Sequence, residues 1–181
     1  MKIRFLFKVS IKFLAISCIT ILFNPNVNYG QYTDNYAAVF NGSNSYVSMP
    51  HSTDLNPTTA ITVEAWVMPA ALPTSMAVIG KNYLTGYYFG IESSGRFIFF
   101  PRGSGNFLRS RVSGIVQLNK WAHIAATYDG TSTRLYLNGA LDTSTTSITG
   151  AVGSNSDSLF IGADRFSGSA ALFFNGRLDS V

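Results

Sequence analysis

The segment from Trp121 to Gly139 constrains the fold of this chain more than any other part of its sequence. Trp121–Tyr128 and Thr133–Leu137 mix β-branched and aromatic residues with polar ones at close to period two, as β-strands do. Asp129-Gly130 separates these runs and Asn138-Gly139 follows them, and both dipeptides favour tight hairpin turns because those turn positions require positive φ angles. The segment therefore predicts antiparallel strands in an all-β domain.

Short runs of the same kind recur along the chain, and no segment of useful length has the apolar stripe of an amphipathic helix. Strand alternation places Phe97 and Phe99 on one face, with Ile98 and Phe100 on the other. The Ser- and Thr-rich segment from Thr143 to Gly153 is predicted to be a long surface loop. Many short strands separated by regular turn signals predict an antiparallel sandwich or jelly roll. The predicted strands are Ala37–Asn41, Ser45–Met49, Ile61–Met68, Ala77–Lys81, Tyr87–Glu92, Arg96–Phe100, Leu108–Val112, Trp121–Tyr128, Arg134–Asn138, Ser158–Gly162 and Phe173–Asp179.

Residues 1–30 have the pattern of a secretory signal peptide. Basic residues precede an apolar stretch from Phe13 to Phe23, and small-residue cleavage signals lie near Tyr29-Gly30. A retained membrane anchor is the alternative, but the apolar run is shorter than the ~20 residues that a membrane span needs. We therefore predict a secreted or cell-surface protein with no membrane span in the mature chain.

The charge of the mature domain differs from that of the whole chain. The sequence has 13 Lys and Arg residues against nine Asp and Glu, a formal net charge of +4. Lys2, Arg4, Lys8 and Lys12 lie in the predicted leader and the acids lie beyond it, so the mature domain is nearly neutral. A nucleic-acid partner therefore loses its electrostatic support. The single cysteine, Cys18, is also in the leader, which excludes disulfides and thiolate chemistry from the mature domain.

Five sequence landmarks follow one another along the chain: Ala38–Val47, Ile61–Val67, Trp121–Ala125 with Leu135–Gly139, Ile161–Gly162, and Phe174–Asp179. In this order they resemble LamG-like jelly-roll domains of the concanavalin A-like lectin/glucanase superfamily. The resemblance implies an antiparallel two-sheet jelly-roll sandwich over residues 31–181. It also implies a chain truncated in its C-terminal strand, because the family's last strand usually continues past the closing Asp. It does not fix a function, since the superfamily includes lectins, glycoside hydrolases, adhesion modules and spacers.

The resemblance further implies a calcium site, because many relatives hold one calcium ion near their first and last strands. Asn41 and Asp179 would be ligands, with the backbone around Gly42 assisting. Calcium takes six to eight oxygen ligands, and Asn41 stands where relatives often have Asp, which removes a charge and weakens binding. The alternative is that Asn41-Gly42 is only a turn.

The acids of this sequence do not form a glycosidase pair. Such enzymes need two carboxyl groups about 5–9.5 Å apart, depending on mechanism. None of the nine Asp and Glu residues has another acid two or four positions away, where a strand would present both on one face. Glu64 is predicted to be a structural strand glutamate, His123 a hydrogen-bonded structural histidine and Asp129 a turn residue. We therefore predict that the domain is not an enzyme.

Aromatic side chains on loops are the best candidates for a binding surface, because rings offer apolar area at low entropic cost to sugars and proteins alike. The loops Lys81–Tyr87 and Asp164–Gly168 carry several of them. Core packing is the alternative interpretation for each aromatic residue. The candidate ligand-binding residues are Tyr83, Tyr87, Phe107, Arg109, Asp164 and Phe166.

These features together predict a secreted, non-catalytic binding module within a larger extracellular protein. Its partner would be a glycan or an extracellular surface protein. A structural or adhesion spacer without a small-molecule site is the alternative from another class of protein, and a glycoside hydrolase is the third.

Overall fold

The computed structural model describes residues 37–113, 115–166 and 168–181; the predicted signal peptide and Cys18 lie outside them. A short 3-10 helix covers Thr53–Leu55. No helix in the described ranges has the length and apolar character needed to cross a membrane. The strands are β1 (Ala38–Asn41), β2 (Val47–Met49), β3 (Ile61–Pro69), β4 (Met76–Gly80), β5 (Tyr88–Ile91), β6 (Phe97–Phe100), β7 (Leu108–Arg109), β8 (Ala122–Tyr128), β9 (Thr133–Leu137), β10 (Ala140–Thr145), β11 (Leu159–Ile161), β12 (Asp164–Phe166), β13 (Ser169–Ala171) and β14 (Asn175–Asp179).

The strands form two six-stranded antiparallel sheets and a separate hairpin. The first sheet has the order β1-β14-β3-β8-β9-β10, and the second sheet has the order β2-β11-β4-β5-β6-β7. Strands β12 and β13 form the hairpin. This arrangement confirms the predicted all-β, antiparallel jelly-roll sandwich.

The core lies between the two sheets because their strands alternate apolar and polar residues. In β3 the side chains of Val63, Ala65 and Val67 are buried, and the residues between them are exposed. The second sheet contributes Phe97 and Phe99, both fully buried in the same core cluster. Each fully buried Phe or Val stabilises the fold by roughly 1.5–3 kcal/mol, so these inward positions largely hold the sheets together.

The outer face of the second sheet is also apolar. Ile98 and Tyr88 are buried there with Ala77, in a second cluster against which Tyr83 and Phe100 pack. This confirms the predicted division of β6 between its two faces. A β-strand that is buried on both sides needs cover on its outer face, and loops before and after the strands supply it here.

Two parts of the predicted strand pattern are wrong. The sequence predicts a loop from Thr143 onward, but β10 extends through Thr145 and pairs with β9 across the Asn138-Gly139 turn. Asn138 and Gly139 have φ angles of 49° and 80°, as a tight hairpin turn requires. Asp164–Phe166, predicted as part of a loop, likewise form β12 and pair with Ser169–Ala171 of β13. Both additions are short strands with polar residues, so hydrophobic alternation gave no signal for them.

Candidate functional site

A groove of about 360 Å³ opens on the outer face of the second sheet. Tyr88 of β5 and Ile98 of β6 are buried at its base. Its sides come from the loop before β5, the loop before β7 and the β12–β13 hairpin. The groove therefore forms where loops distant in sequence converge on an apolar sheet face.

Four aromatic side chains follow one another along this groove: Phe166, Tyr83, Phe100 and Phe107, here called the aromatic arc. Tyr83 stacks on Phe166 with ring centroids 5.8 Å apart and an interplanar angle of 19°. The Tyr83 and Phe100 centroids are 6.1 Å apart, and those of Phe100 and Phe107 are 5.2 Å apart. The arc is thus a continuous surface of rings, and its end members Phe166 and Phe107 remain 43% and 42% exposed.

An ion pair between Arg109 and Glu92 lies at the Phe107 end of the arc. The Arg109 Nη2 atom donates to Glu92 Oε1 at 2.7 Å, and its Nε atom is 2.6 Å from Oε2. The guanidinium carbon lies 5.2 Å from the centroid of the Phe107 ring. One charge-assisted hydrogen bond, a close charge contact at Nε and a ring face hold the guanidinium in one orientation.

Asp164 lies beneath the other end of the arc and fixes the loop that carries Tyr83. Its carboxylate accepts hydrogen bonds from the backbone N–H groups of Asn82 at 2.8 Å and Tyr83 at 3.0 Å. Burial raises the pKa of Asp164 to about 6, opposed by backbone hydrogen bonds that include these two, while the charge of Asp157 adds to the rise. Gly80 makes room for it, because a Cβ at that position would lie 2.4 Å from Asp164 Oδ1.

Asp157 completes the support of this loop. It accepts a hydrogen bond from Asn82 Nδ2 at 2.8 Å and lies 3.3 Å from Arg165 Nη1. Asn82 itself has a φ angle of +64°, a conformation that Asn tolerates better than most residues. Lys81 is buried beside it, where desolvation lowers its pKa against the opposing charge of Asp157. The Tyr83 loop is therefore held by side chains and does not depend on local turn propensity alone.

The structure brings most of the predicted binding residues to one place. Tyr83, Phe107, Arg109 and Phe166 line the groove, and Asp164 lies directly beneath it. Tyr87 does not join them: its side chain is buried in the core between the sheets, and its hydroxyl donates to the Leu55 carbonyl at 3.1 Å. Burial there raises the pKa of Tyr87 to about 12.

Sequence reasoning missed Tyr88, Glu92 and Phe100 as groove residues. The useful signal was strand alternation, because a core position at Tyr87 places Tyr88 on the opposite face. Glu92 follows directly after β5, and no feature of the sequence around it pointed to its pairing with Arg109.

A protein-family match covers residues 41–181, and the family is described as the concanavalin A-like lectin/glucanases superfamily. The chain belongs to this superfamily. The match confirms the resemblance inferred from the sequence landmarks. No curated protein sequence matches the chain.

Several solved structures share the fold of this concanavalin A-like domain. A candidate carbohydrate-binding protein from Bacteroides ovatus has a TM-score of 0.62 at 21% identity, covering 79% of this chain but 41% of that one. A second structure is domain 4 of AbnA, a GH43 extracellular arabinanase from Geobacillus stearothermophilus, in complex with arabinotriose. Its TM-score is 0.59 at 22% identity, and the match covers 79% of this chain and 67% of that one. The CBM40 of a Ruminococcus gnavus sialidase, bound to α2,3-sialyllactose, has a TM-score of 0.53 at 14% identity, and the match covers 79% of this chain and 88% of that one. At these identities the likeness shows the fold alone.

The base of the groove in this concanavalin A-like domain contains a buried polar atom that has no hydrogen-bond partner among the described residues. The hydroxyl of Tyr88, a residue only 3% exposed, makes no hydrogen bond among the described residues. It lies above Gly90, where an added Cβ would be 2.2 Å from the hydroxyl oxygen. Burial, and to a lesser degree Asp164 and Glu92, raises the pKa of Tyr88, so the group stays a neutral phenol.

The predicted calcium ligands of the domain do not lie together. Asn41 is opposite Asn175 in the β1–β14 pairing, whereas Asp179 lies beyond Leu178, which is opposite Ala38. Four residues of strand separate the two positions by about 13 Å, although ligands of one calcium ion each lie within ~2.6 Å of it. Asn41 and Asp179 therefore do not share an ion. Calcium binding by this chain stays a prediction.

The third predicted ligand and its neighbours form a turn. Asn41 Oδ1 accepts hydrogen bonds from the N–H groups of Ser43 at 3.0 Å and Asn44 at 3.1 Å. Gly42 has a φ angle of +75° and donates its N–H to the Phe174 carbonyl. This agrees with the turn alternative. Across the described ranges, no group of three or more His, Cys, Asp or Glu residues could hold a metal ion.

Glu64, His123 and Asp129 lie outside the groove and make local contacts. Glu64 Oε2 lies 3.6 Å from His123 Nε2 on the outer face of the first sheet. Asp129 accepts hydrogen bonds from Thr131 and Ser132 within its turn, and these bonds, the Thr131 side chain first, lower its pKa to about 2. The Asp129 bonds agree with its predicted turn role, and the Glu64 contact agrees with a paired strand glutamate. A hydrogen bond of the His123 ring stays a prediction.

Proposed function

We propose that this domain is a secreted, non-catalytic carbohydrate-binding module whose glycan lies in the groove on the outer face of the second sheet. The observation that carries the proposal is the aromatic arc, which ends at the Glu92–Arg109 pair. Ring faces pack against the C–H faces of sugars, and a fixed charged pair offers both donors and acceptors to sugar hydroxyls. A mostly apolar groove with a few oriented polar groups is the usual form of a small-ligand site.

The structural neighbours support a sugar ligand and an extracellular location. The AbnA domain, from an extracellular enzyme, is in complex with arabinotriose, and the Ruminococcus gnavus module is bound to sialyllactose. The proposal extends carbohydrate binding from these proteins to the present chain. The proposal does not assign a particular sugar to this chain, because the sequence identities to these two proteins are only 22% and 14%.

The acids near the groove support binding without catalysis. Glu92 is held by two contacts to Arg109, so its carboxylate is not free to act as a nucleophile or base. Asp164 is fully buried under the groove and accepts backbone hydrogen bonds. Hydrolysis of a glycosidic bond requires two carboxyl groups on either side of that bond, and neither residue has the freedom this role needs.

A glycan array followed by calorimetry on the purified protein tests the proposal. Phe166→Ala removes one end of the aromatic arc, and Trp66→Ala on the outer face of the first sheet is a matched control. The two rings are 43% and 44% exposed, so both substitutions remove a half-exposed aromatic side chain. We expect Phe166→Ala to weaken glycan binding by about tenfold or more, and Trp66→Ala to leave the affinity unchanged.

Three outcomes would overturn the proposal in different ways. Absence of binding to any glycan would favour the spacer alternative or a protein partner. Equal loss of binding in both variants would place the site outside the groove. Release of shorter sugars from a bound polysaccharide would show that the domain is an enzyme.

A further inference from the structure

Charge in the groove is fully paired. Among the described residues that line it, Glu92 and Arg109 are the charged ones, and they neutralise each other through contacts of 2.6 and 2.7 Å. The Phe107 ring covers one face of the guanidinium, since its centroid is 5.2 Å from the Arg109 carbon. An anionic ligand would have to displace Glu92 from Arg109 and would then lie beside an unpaired carboxylate. Two negative charges in contact repel each other, and more strongly at a half-buried site than in water, so the groove disfavours an anionic ligand.

The nearby cations outside the lining are engaged as well. Arg165 lies 3.3 Å from Asp157, and the buried amino group of Lys81 donates to the Asp157 carbonyl. The carboxyl of Asp164 lies under the Tyr83 end of the arc. These groups add no free positive charge near the groove, so its electrostatics favour an uncharged ligand.

The length of the arc sets the size of the ligand. Its rings are spaced by 5.8, 6.1 and 5.2 Å from Phe166 through Tyr83 and Phe100 to Phe107. Both end rings are about two-fifths exposed, so apolar contact area is available at the two ends and not at a single closed pocket. One sugar ring covers only part of such a row, whereas a linear oligosaccharide reaches from one end to the other.

We infer that the groove selects a neutral, linear oligosaccharide of at least two sugar units, which lies along the aromatic arc and reaches the Glu92–Arg109 pair. The inference rests on the proposed function and narrows it to a ligand class. It distinguishes this chain from a module that recognises a single terminal acidic sugar.

Calorimetry with defined sugars tests chain length and charge separately. The panel consists of neutral mono-, di- and trisaccharides of one sugar, together with sialyllactose and an oligogalacturonide, each at low and high salt. Each additional sugar that contacts a ring should raise the affinity, and we expect about tenfold or more between mono- and trisaccharide. Salt should leave the neutral affinities unchanged, because no free charge contributes to them.

The variant Glu92→Gln tests the charge argument in the same protein. It removes the negative charge that pairs with Arg109, so the ratio of anionic to neutral oligosaccharide affinity should rise by about tenfold. Glu64→Gln is the matched control, because Glu64 pairs with His123 on the other sheet and should leave the ratio unchanged.

The outcomes separate this inference from the proposed function. Salt-sensitive preference for sialyllactose or the oligogalacturonide would overturn the inference, as would equal affinity for mono- and trisaccharide, and glycan binding would stand in both cases. An unchanged ratio in Glu92→Gln would also overturn it. Lack of binding to every sugar in the panel would instead remove the proposed function itself.

Discussion

The buried carboxyl group of Asp164 should make the stability of this protein fall as the pH rises from about 4 to 6. Burial raises its pKa from the ordinary 3.8 to about 6 in the folded protein. The folded state therefore binds a proton more tightly than the unfolded state. The stability that this proton contributes is fully present below about pH 4 and is lost as the pH passes through 6.

The magnitude follows from the size of the shift. The rise of the Asp164 pKa from 3.8 to about 6, at about 1.36 kcal/mol per pH unit, corresponds to a loss of roughly 3 kcal/mol of unfolding free energy as the pH rises through this interval. Asp164→Asn removes the titrating proton and keeps the shape of the side chain. We expect its free energy of unfolding to lack this pH dependence, whatever the variant costs at a single pH.

Urea denaturation from pH 4 to 7 on both proteins measures the effect, since the difference between the two curves cancels all other titrating groups. Asp129→Asn is the control, because hydrogen bonds lower the pKa of Asp129 to about 2. Its contribution is present above about pH 4 and is lost only as the pH falls toward 2, so this variant should keep the wild-type slope between pH 4 and 6. Parallel wild-type and Asp164→Asn curves would show that folding does not raise the pKa of Asp164.

Three further predictions address the groove. Tyr88→Phe removes a buried hydroxyl without a partner and should leave thermal stability unchanged or higher. Tyr87→Phe loses a hydrogen bond to the Leu55 carbonyl and should lower the free energy of unfolding by about 1 kcal/mol. Equal losses of stability in the two variants would mean that the Tyr88 hydroxyl is hydrogen-bonded. Gly80→Ala places a Cβ 2.4 Å from the Asp164 carboxylate, so denaturant unfolding should show a loss of about 1–3 kcal/mol, and an unchanged midpoint would contradict the packing. Arg109→Lys removes the planar guanidinium that bonds Glu92 through Nη2 and lies over the Phe107 ring, so calorimetry should show about tenfold weaker glycan binding. Wild-type affinity would exclude a role for the guanidinium.

The hairpins show what the sequence can predict about this fold. Trp121–Tyr128 and Thr133–Leu137 alternate strongly and flank an Asp-Gly turn, and the structure has strands there within one residue of the predicted ends. β10 has mostly exposed or half-buried residues at the edge of the first sheet. Its pairing with β9 comes from the backbone after the Asn138-Gly139 turn, so hydrophobic periodicity could not reveal it.

The contacts that build the groove could not be predicted from local sequence patterns. Tyr83 and Phe166 could be named from the sequence as loop aromatics, but their stacking depends on Asp164, whose partner Asn82 is 82 positions away in the chain. The distinction between Tyr87 and Tyr88 depends on the phase of one strand, and an error of one residue exchanges the core for the groove. Such long-range contacts follow from the packed fold and not from any single segment.

An amide NMR titration of the protein with a neutral linear trisaccharide that it binds locates the glycan on the surface of the domain. If the groove is the binding site, the largest shift changes will fall on residues around the aromatic arc, including Tyr83, Phe100, Phe107, Arg109 and Phe166. The outer face of the first sheet around Trp66 and His123 should remain unchanged. Shift changes centred on that face, with none along the arc, would show that the glycan does not bind in the groove.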